Sequence, residues 1–451
     1  MSDSQLKDAV AAVLPRTIED LQALVAIESI SASAAHDHQV RASADAVVAL
    51  LAEIGCPDVR IVSDGGKPAV IGHFPAPEGA PTVCLYAHHD VQPTGEEALW
   101  TSPPFAATER DGRLYGRGAA DDKGGIAAHL AALRAFKGKP PVGVTLFIEG
   151  EEEIGSPSLR TILQQHADAL RADVYVIADS GNWAVGRPAF TTTLRGMADC
   201  VVEVATLDHA LHSGVFGGVV PDAVTVLCRL LATLHDDAGN VAIAGLREAP
   251  LTDLPDAGDR IRAEAGLLDG VQQLGDGNVF DRMWNKPSVS VLGIDAPSVR
   301  DAANALLPVA RAKVGLRVAP GDDAHQALAA LRAHLEQHAP WGARVRVIDG
   351  EVGQPGVVPF EGPVCDLAAE AMASAYGVEP VFMGIGGSIP MIADFQEVFP
   401  DAVVLVTAVG DPDSRQHGVD ESLHLGDFAR AATAEALLLA KLGNAGSVAS
   451  T

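Results

Sequence analysis

The chain has 451 residues, 48% apolar and 20% charged, a length and balance that predict a large buried core shared between two domains. Its formal charge of -27, from 59 acidic against 32 basic residues, repels phosphate backbones and anionic headgroups, so nucleic-acid and membrane partners are excluded. Five scattered cysteines without a CxxC pair exclude a disulfide framework and a thiolate zinc site, and Cys84, inside an apolar run, reads as a small core residue. Asp3, Lys7, Arg16, Glu19 and Asp20 interrupt the opening apolar stretches, which leaves no signal-peptide core. No run reaches the roughly 18 apolar residues of a membrane span, and a cytoplasmic protein is expected.

In chain order, apolar residues at helical spacing predict amphipathic helices over Arg16 to Ile27 and Ala42 to Ile54. Short apolar runs at Val83 to Ala87, Val142 to Ile148, Val174 to Ala178 and Val403 to Thr407 predict buried strands, with helices at Gly125 to Phe136 and Ser158 to Gln165 between them. The expected fold class is α/β: a mixed, mainly parallel sheet flanked by helices, formed by residues 1–190 and 353–451. After Pro188 the order changes to strand Cys200 to Ala205, helix Ala223 to Leu234, strands Ser288 to Leu292 and Ala312 to Val318, helix Ala324 to His338, and strand Arg344 to Ile348. That βαββαβ order predicts an inserted ferredoxin-like α+β domain over 191–352, with the polar stretch from about Asp236 to Lys286 forming a loop with short helices. The end from Gly443 to Thr451 is small and polar, hence frayed.

The chemistry-bearing residues cluster where strands are predicted to stop. The first run ends in His88, His89 and Asp90; residues two apart share a face, so His88 and Asp90 project together. The second ends in Glu149 to Glu153, the third in Asp179, and the last leads through Gly410 to His417. Open α/β sheets bind ligands beyond the carboxyl ends of their strands, so these groups can converge. A glycine-rich turn from Gly116 to Gly125 contributes Asp121 and Asp122 and lacks the spacing of a phosphate loop. Taken singly, an HxD pair or a glutamate run is ordinary surface charge; the ordered set is what points to a metal site.

That set resembles the M20 family of metallopeptidases, which includes carnosinases, carboxypeptidase G, aminoacylases and succinyl-diaminopimelate desuccinylases. The resemblance covers nearly the whole chain through AHHDVQP (87–93), GRGAADDKGG (116–125), EGEEEIGSP (149–157), IADSGNW (177–183), LHSGVFGG (211–218), GGSIP (386–390) and the late His417. The LHSGVFGG and GGSIP stretches look most like the dipeptidase branch. The resemblance implies two divalent ions, Zn²⁺ first with Mn²⁺ or Co²⁺ as alternatives, bridged by Asp121. His88 and Asp179 would complete one ion's ligands and Glu153 with His417 the other's, while Asp90 would orient His88. It also implies a cis peptide between Asp121 and Asp122.

Two such divalent ions set against Asp121, Glu153 and Asp179 would leave one positive charge, which a bridging hydroxide would neutralise. Glu152 would be the general base that takes the water's proton and then protonates the leaving nitrogen. The family further implies that His212 acts on the substrate from the partner subunit of a homodimer, and that Arg317, Asn304, Gly387 and Ser388 hold the substrate's terminal carboxylate. The inserted domain would serve as lid and dimerisation element. The expected activity is cleavage of dipeptides bearing a free C-terminal carboxylate, with removal of acyl groups from N-acyl amino acids as the alternative and a metal-free binding protein further behind. Gly384 and Ile385 depart from the Arg-Glu that carnosinase-like members carry before GGSIP. Other histidines, including His73, His129, His209 and His424, read as structural or exposed.

Overall fold

The computed structural model describes residues 1–250, 254–386 and 390–446. Two compact units divide the chain, one made of Met1–Thr192, Val358–Met383 and Met391–Thr451 and the other of Thr193–Val357 and Gly384–Pro390.

In the first unit, helix α1 (Asp3–Val25) starts well before the predicted Arg16. A capping box initiates it: the Gln5 amide donates to Ser2 Oγ and the Ser2 amide donates to the Gln5 side chain. The helix runs through Pro15 and buries Leu6, Val10, Leu21 and Leu24. Helix α2 (Asp37–Glu53) buries Val40, Ala44, Val47 and Leu51 at three- and four-residue spacing. Strands β1 (Asp58–Val62) and β2 (Ala69–Phe74) pair antiparallel and were not expected from the sequence. Then come β3 (Thr82–His88), α3 (Lys123–Ala135), β4 (Gly143–Glu149), β5 (Val174–Ile177) and β6 (Ala189–Leu194).

The second unit contributes β7 (Gly196–Ala205), α4 (Ala223–Ala232), β8 (Ser288–Asp295), β9 (Val309–Val318), α5 (Ala324–Gln337) and β10 (Arg344–Gly353). Its sheet order is β8-β9-β7-β10 with every pairing antiparallel, the ferredoxin-like arrangement. Alternate residues Cys200, Val202 and Val204 of β7 and Ala312, Val314 and Leu316 of β9 share a core with Leu227 and Leu230 of α4 and Leu331 and Leu335 of α5. The polar stretch inside this unit holds a short helix, Gly258–Glu264, and a π-turn, Asp281–Asn285.

The chain then returns to the first unit with α6 (Pro363–Tyr376), β11 (Val403–Val406) and α7 (Leu425–Ala445). Helix α7 continues through Gly443 to Ala445, so fraying does not start where small residues begin; residues 447–451 lie outside the described residues. The sheet order is β1-β2-β4-β3-β5-β11-β6. The central strands β4, β3, β5 and β11 are parallel, and the strands outside them pair antiparallel. Every residue of β4 and β5 is buried, as a parallel sheet covered on both faces requires. Val83, Leu85 and Ala87 of β3 join the core built with α1, α3 and α7. Tyr86 points the other way and packs with Phe147, beside Phe395 of helix Pro390–Val398. Among the described residues no helix is long and apolar enough to cross a membrane.

Candidate metal centre

Parallel register decides where the polar groups meet. His88 lies opposite Glu149, and Ile177 lies opposite both Tyr86 and Val406, so four strands finish along one edge of the sheet. His88 is the last residue of β3, and Asp90 follows it; Glu152 and Glu153 sit in a 3₁₀ turn after β4, and Asp179 just beyond β5. Asp121 enters at the start of α3, whose N-cap is Asp122: its carboxylate accepts the Gly125 amide at 3.2 Å and the His88 amide at 3.3 Å. The peptide between Asp121 and Asp122 is cis.

Asp121 stands between two imidazoles. Its Oδ1 is 3.1 Å from His88 Nε2 and its Oδ2 is 3.1 Å from His417 Nε2, which is also 3.1 Å from Glu153 Oε2. On the other side, His88 Nε2 lies 3.9 Å from both Glu152 Oε2 and Asp179 Oδ2. Among the described residues two donor groups emerge, His88 with Asp121 and Glu153, and His88 with Glu152 and Asp179, each within 4.8 Å. Asp90 ties the elements together: its carbonyl lies 3.0 Å and its carboxylate 3.4 Å from His88 Nδ1, and the carboxylate accepts the amides of Glu152 and Glu153 at 3.2 Å.

The electrostatics ask for added positive charge. Four carboxylates, Asp121, Glu152, Glu153 and Asp179, face two imidazoles in a largely buried space. Burial pushes the Asp179 carboxyl up to about 7, against the pull of His88, and burial with neighbouring Asp179 lifts Glu152 well above the carboxylate range. Hydrogen bonding to Asp121 and Glu153 raises His417 to about 10. Nitrogen and oxygen donors about 2.0–2.2 Å from a shared ion sit roughly 3 Å from one another, the spacing seen here. The donor set therefore fits divalent Zn²⁺, Mn²⁺ or Co²⁺.

Of the remaining expected site residues, His212, Asn304 and Arg317 fall in the second unit. His212 is exposed and accepts the Gly214 amide at 3.0 Å, and it pairs with Ala305 beside Asn304, whose carbonyl accepts the Ser213 amide. Arg317 lies on β9 opposite Met197 and Ser288. Gly387 and Ser388 lie outside the described residues. A Cβ on Gly384 would stand 2.6 Å from both Thr193 Oγ1 and Trp284 Cβ, so the packing at this position leaves no room for a side chain unless its neighbours shift. Of the other histidines, His129 is buried between Glu435 (2.7 Å) and the Tyr86 carbonyl (3.0 Å), and His424 caps α7.

Several residues that matter to this geometry have no role assigned by the sequence reading, although Gln92, Glu151 and Arg117 lie inside its motifs. Gln92 donates to Glu153 Oε2 at 2.8 Å and to its carbonyl at 3.0 Å. Glu151, buried, accepts the amides of Lys67 at 2.9 Å and Ser158 at 2.7 Å, clamping the turn that carries Glu152 and Glu153. Arg117 and Glu421 form a buried ion pair at 2.6 Å. One glutamate among 59 acidic residues looks like another until its long-range partners are known.

An α/β sheet whose carboxyl edge gathers nitrogen and oxygen donors beside a pair of glutamates defines a metal-dependent hydrolase. The chain belongs to peptidase family M20/M25/M40, whose profile matches residues 84–441, and it is a metallopeptidase. It is 36% identical over 435 residues to the cysteinylglycine-S-conjugate dipeptidase of Corynebacterium striatum, covering 95% of this chain and 96% of that one. It is 28% identical to the beta-Ala-His dipeptidase of Homo sapiens, covering 79% and 74%. Among solved structures, the di-peptidase Dug1p of Saccharomyces cerevisiae superimposes with a TM-score of 0.84 at 25% identity, covering 98% of this chain and 99% of that one.

Proposed function

We propose that this protein is a dinuclear dipeptidase that cleaves the peptide bond of dipeptides carrying a free C-terminal carboxylate. The observation that carries the reading is the Asp121 carboxylate, with one oxygen 3.1 Å from His88 and the other 3.1 Å from His417. His88, Asp121 and Asp179 would hold one divalent ion, and Asp121, Glu153 and His417 the other, with Zn²⁺ favoured over Mn²⁺ and Co²⁺. The chemistry that divalent ions held there would supply is Lewis acidity, which would bring the pKa of water toward about 7.

The chain's own groups do the rest. Glu152, whose amide is anchored on Asp90 and whose carboxylate lies 3.9 Å from His88 Nε2, takes the proton of the attacking water and passes it to the leaving amine. Asp90 keeps the imidazole of His88 oriented. Arg317, with Asn304, Gly387 and Ser388, receives the substrate's carboxylate, which a planar guanidinium suits. His212, exposed on the inserted domain, stabilises the charge developing on the carbonyl oxygen from the partner subunit of a homodimer. Strand β8 supports that assembly: it ends the second unit's sheet with Val291, Leu292 and Ile294 exposed, an edge suited to a second copy. A cytoplasmic setting is supported by five free cysteines.

The test is turnover of Cys-Gly, S-substituted Cys-Gly, β-Ala-His, tripeptides and N-acyl amino acids by protein loaded with Zn²⁺, Mn²⁺ or Co²⁺. Dipeptides are expected to be the preferred class. Hydrolysis of N-acyl amino acids with no dipeptide turned over would replace this reading with a deacylase.

A further inference from the structure

Resting on the metal-centre reading, we infer that the buried Arg117–Glu421 pair is a positioning device that holds Asp121 and His417 at bridging distance. Neither side chain makes a hydrogen bond to a proposed ligand side chain; both act on the backbone that carries the ligands.

Glu421 is fully buried, and its two oxygens are spent on one loop. Oε1 accepts the amides of Ala120 at 3.0 Å and Asp121 at 3.1 Å, and Oε2 accepts the Gly118 amide at 3.0 Å and Arg117 Nη1 at 2.6 Å. The Glu421 carbonyl accepts the Gly116 amide, closing the same loop from the backbone side. Arg117, 1% exposed, then reaches outward: Nη2 donates to the carbonyl of Pro93 at 3.1 Å and to that of Gly418 at 3.2 Å. Pro93 follows the strand end bearing His88 and Asp90, and Gly418 is the residue after His417. One ion pair thus joins the three segments that deliver His88, Asp121 and His417.

The His417 segment needs such a hold. His417 is 56% exposed, and it, Arg415 and Asp420 all adopt positive φ, a conformation L side chains avoid unless their surroundings impose it. A buried ion pair is a weak source of net stability, because desolvation offsets its attraction. What this pair supplies is direction, since charged donors and acceptors with several fixed partners set the separation of the segments they bond.

The experiment titrates metal-free wild type, Glu421→Gln and Arg117→Lys with Zn²⁺ by calorimetry, alongside thermal unfolding with and without Zn²⁺ and kcat and KM on the best dipeptide. Lysine keeps the charge at 117 but lacks the planar fork by which Nη1 reaches Glu421 while Nη2 reaches both carbonyls. The expected result is wild type taking up two ions and each variant binding one of them about 10–100-fold more weakly, with kcat reduced more than KM is raised. Wild-type affinity and stoichiometry in the variants, with only a lower unfolding temperature, would overturn the inference and leave the metal centre standing. If Glu421→Gln does not fold, Arg117→Lys decides by the same readings. A wild-type chain that takes up no pair of ions would overturn the metal centre itself and the inference with it.

Discussion

Replacing Glu152 by Gln separates a proton carrier from a metal ligand. The exchange removes a charge and a basic oxygen while keeping size, and the anchor is untouched, since it is the Glu152 amide, not its side chain, that Asp90 holds at 3.2 Å. General-base catalysis contributes about 10²–10⁴ in rate, or roughly 3 to 5 kcal/mol of activation free energy. The carboxylate lies 3.9 Å from His88 Nε2, whereas Asp121 lies at 3.1 Å, so Asp121 is the closer partner for an ion shared with His88. The variant should retain two ions per chain and lose about 10²–10⁴ in kcat. Its unfolding temperature without metal should not fall, because burial and Asp179 already favour the neutral form of Glu152 there and glutamine keeps that charge state. Metal analysis, steady-state kinetics and thermal unfolding on one preparation check all three. A rate within about threefold of wild type would refute the base role, and loss of one ion would instead make Glu152 the ligand that its closeness to His88 and Asp179 permits.

Asp121→Asn should drop the metal content below two ions per chain and cut kcat by at least about 100-fold, since the residue facing both imidazoles loses its charge; plasma emission spectrometry on dialysed protein gives the count. The buried pair of His129 and Glu435 gives a pH test. Burial lowers the His129 pKa, but Glu435 more than compensates and the net direction is upward, so the pair's contribution is full below the unfolded value of about 6.5 and is lost as pH rises through the folded value. Glu435→Gln should therefore cost more stability at pH 6 than at pH 9, measured by urea unfolding; a gap that widens with pH would contradict this sign. Gly150→Ala should destabilise by about 1–3 kcal/mol or more, because the new Cβ would stand 2.2 Å from the Pro68 carbonyl oxygen and 2.7 Å from His89 Nε2. An unchanged denaturation midpoint would show that the β4 exit has more room than its backbone implies.

Much of the α/β architecture was legible because its signals are local. The runs at Val83, Val142, Val174 and Val403 read as buried strands from their apolar continuity, and the βαββαβ order of the second unit followed from alternation of periods. The hairpin of β1 and β2 is not legible in DVRIV and AVIGHF because both are short: β1 stays partly exposed at the sheet edge, and only β2, paired with both β1 and β4, is mostly buried. The expected start at Arg16 misses the first turns of α1 because that half of the helix carries several polar residues and Pro15, while its start depends on a capping box.

Residue order by itself determined which chemical groups stand at the ends of which strands, since a strand's period and its terminus are properties of a few neighbouring residues. Only the tertiary structure decided which of those groups meet. Parallel pairing sets the strand ends side by side, and contacts across some three hundred residues, such as Glu421 with Asp121 and His129 with Glu435, arise from chain closure that no local pattern encodes.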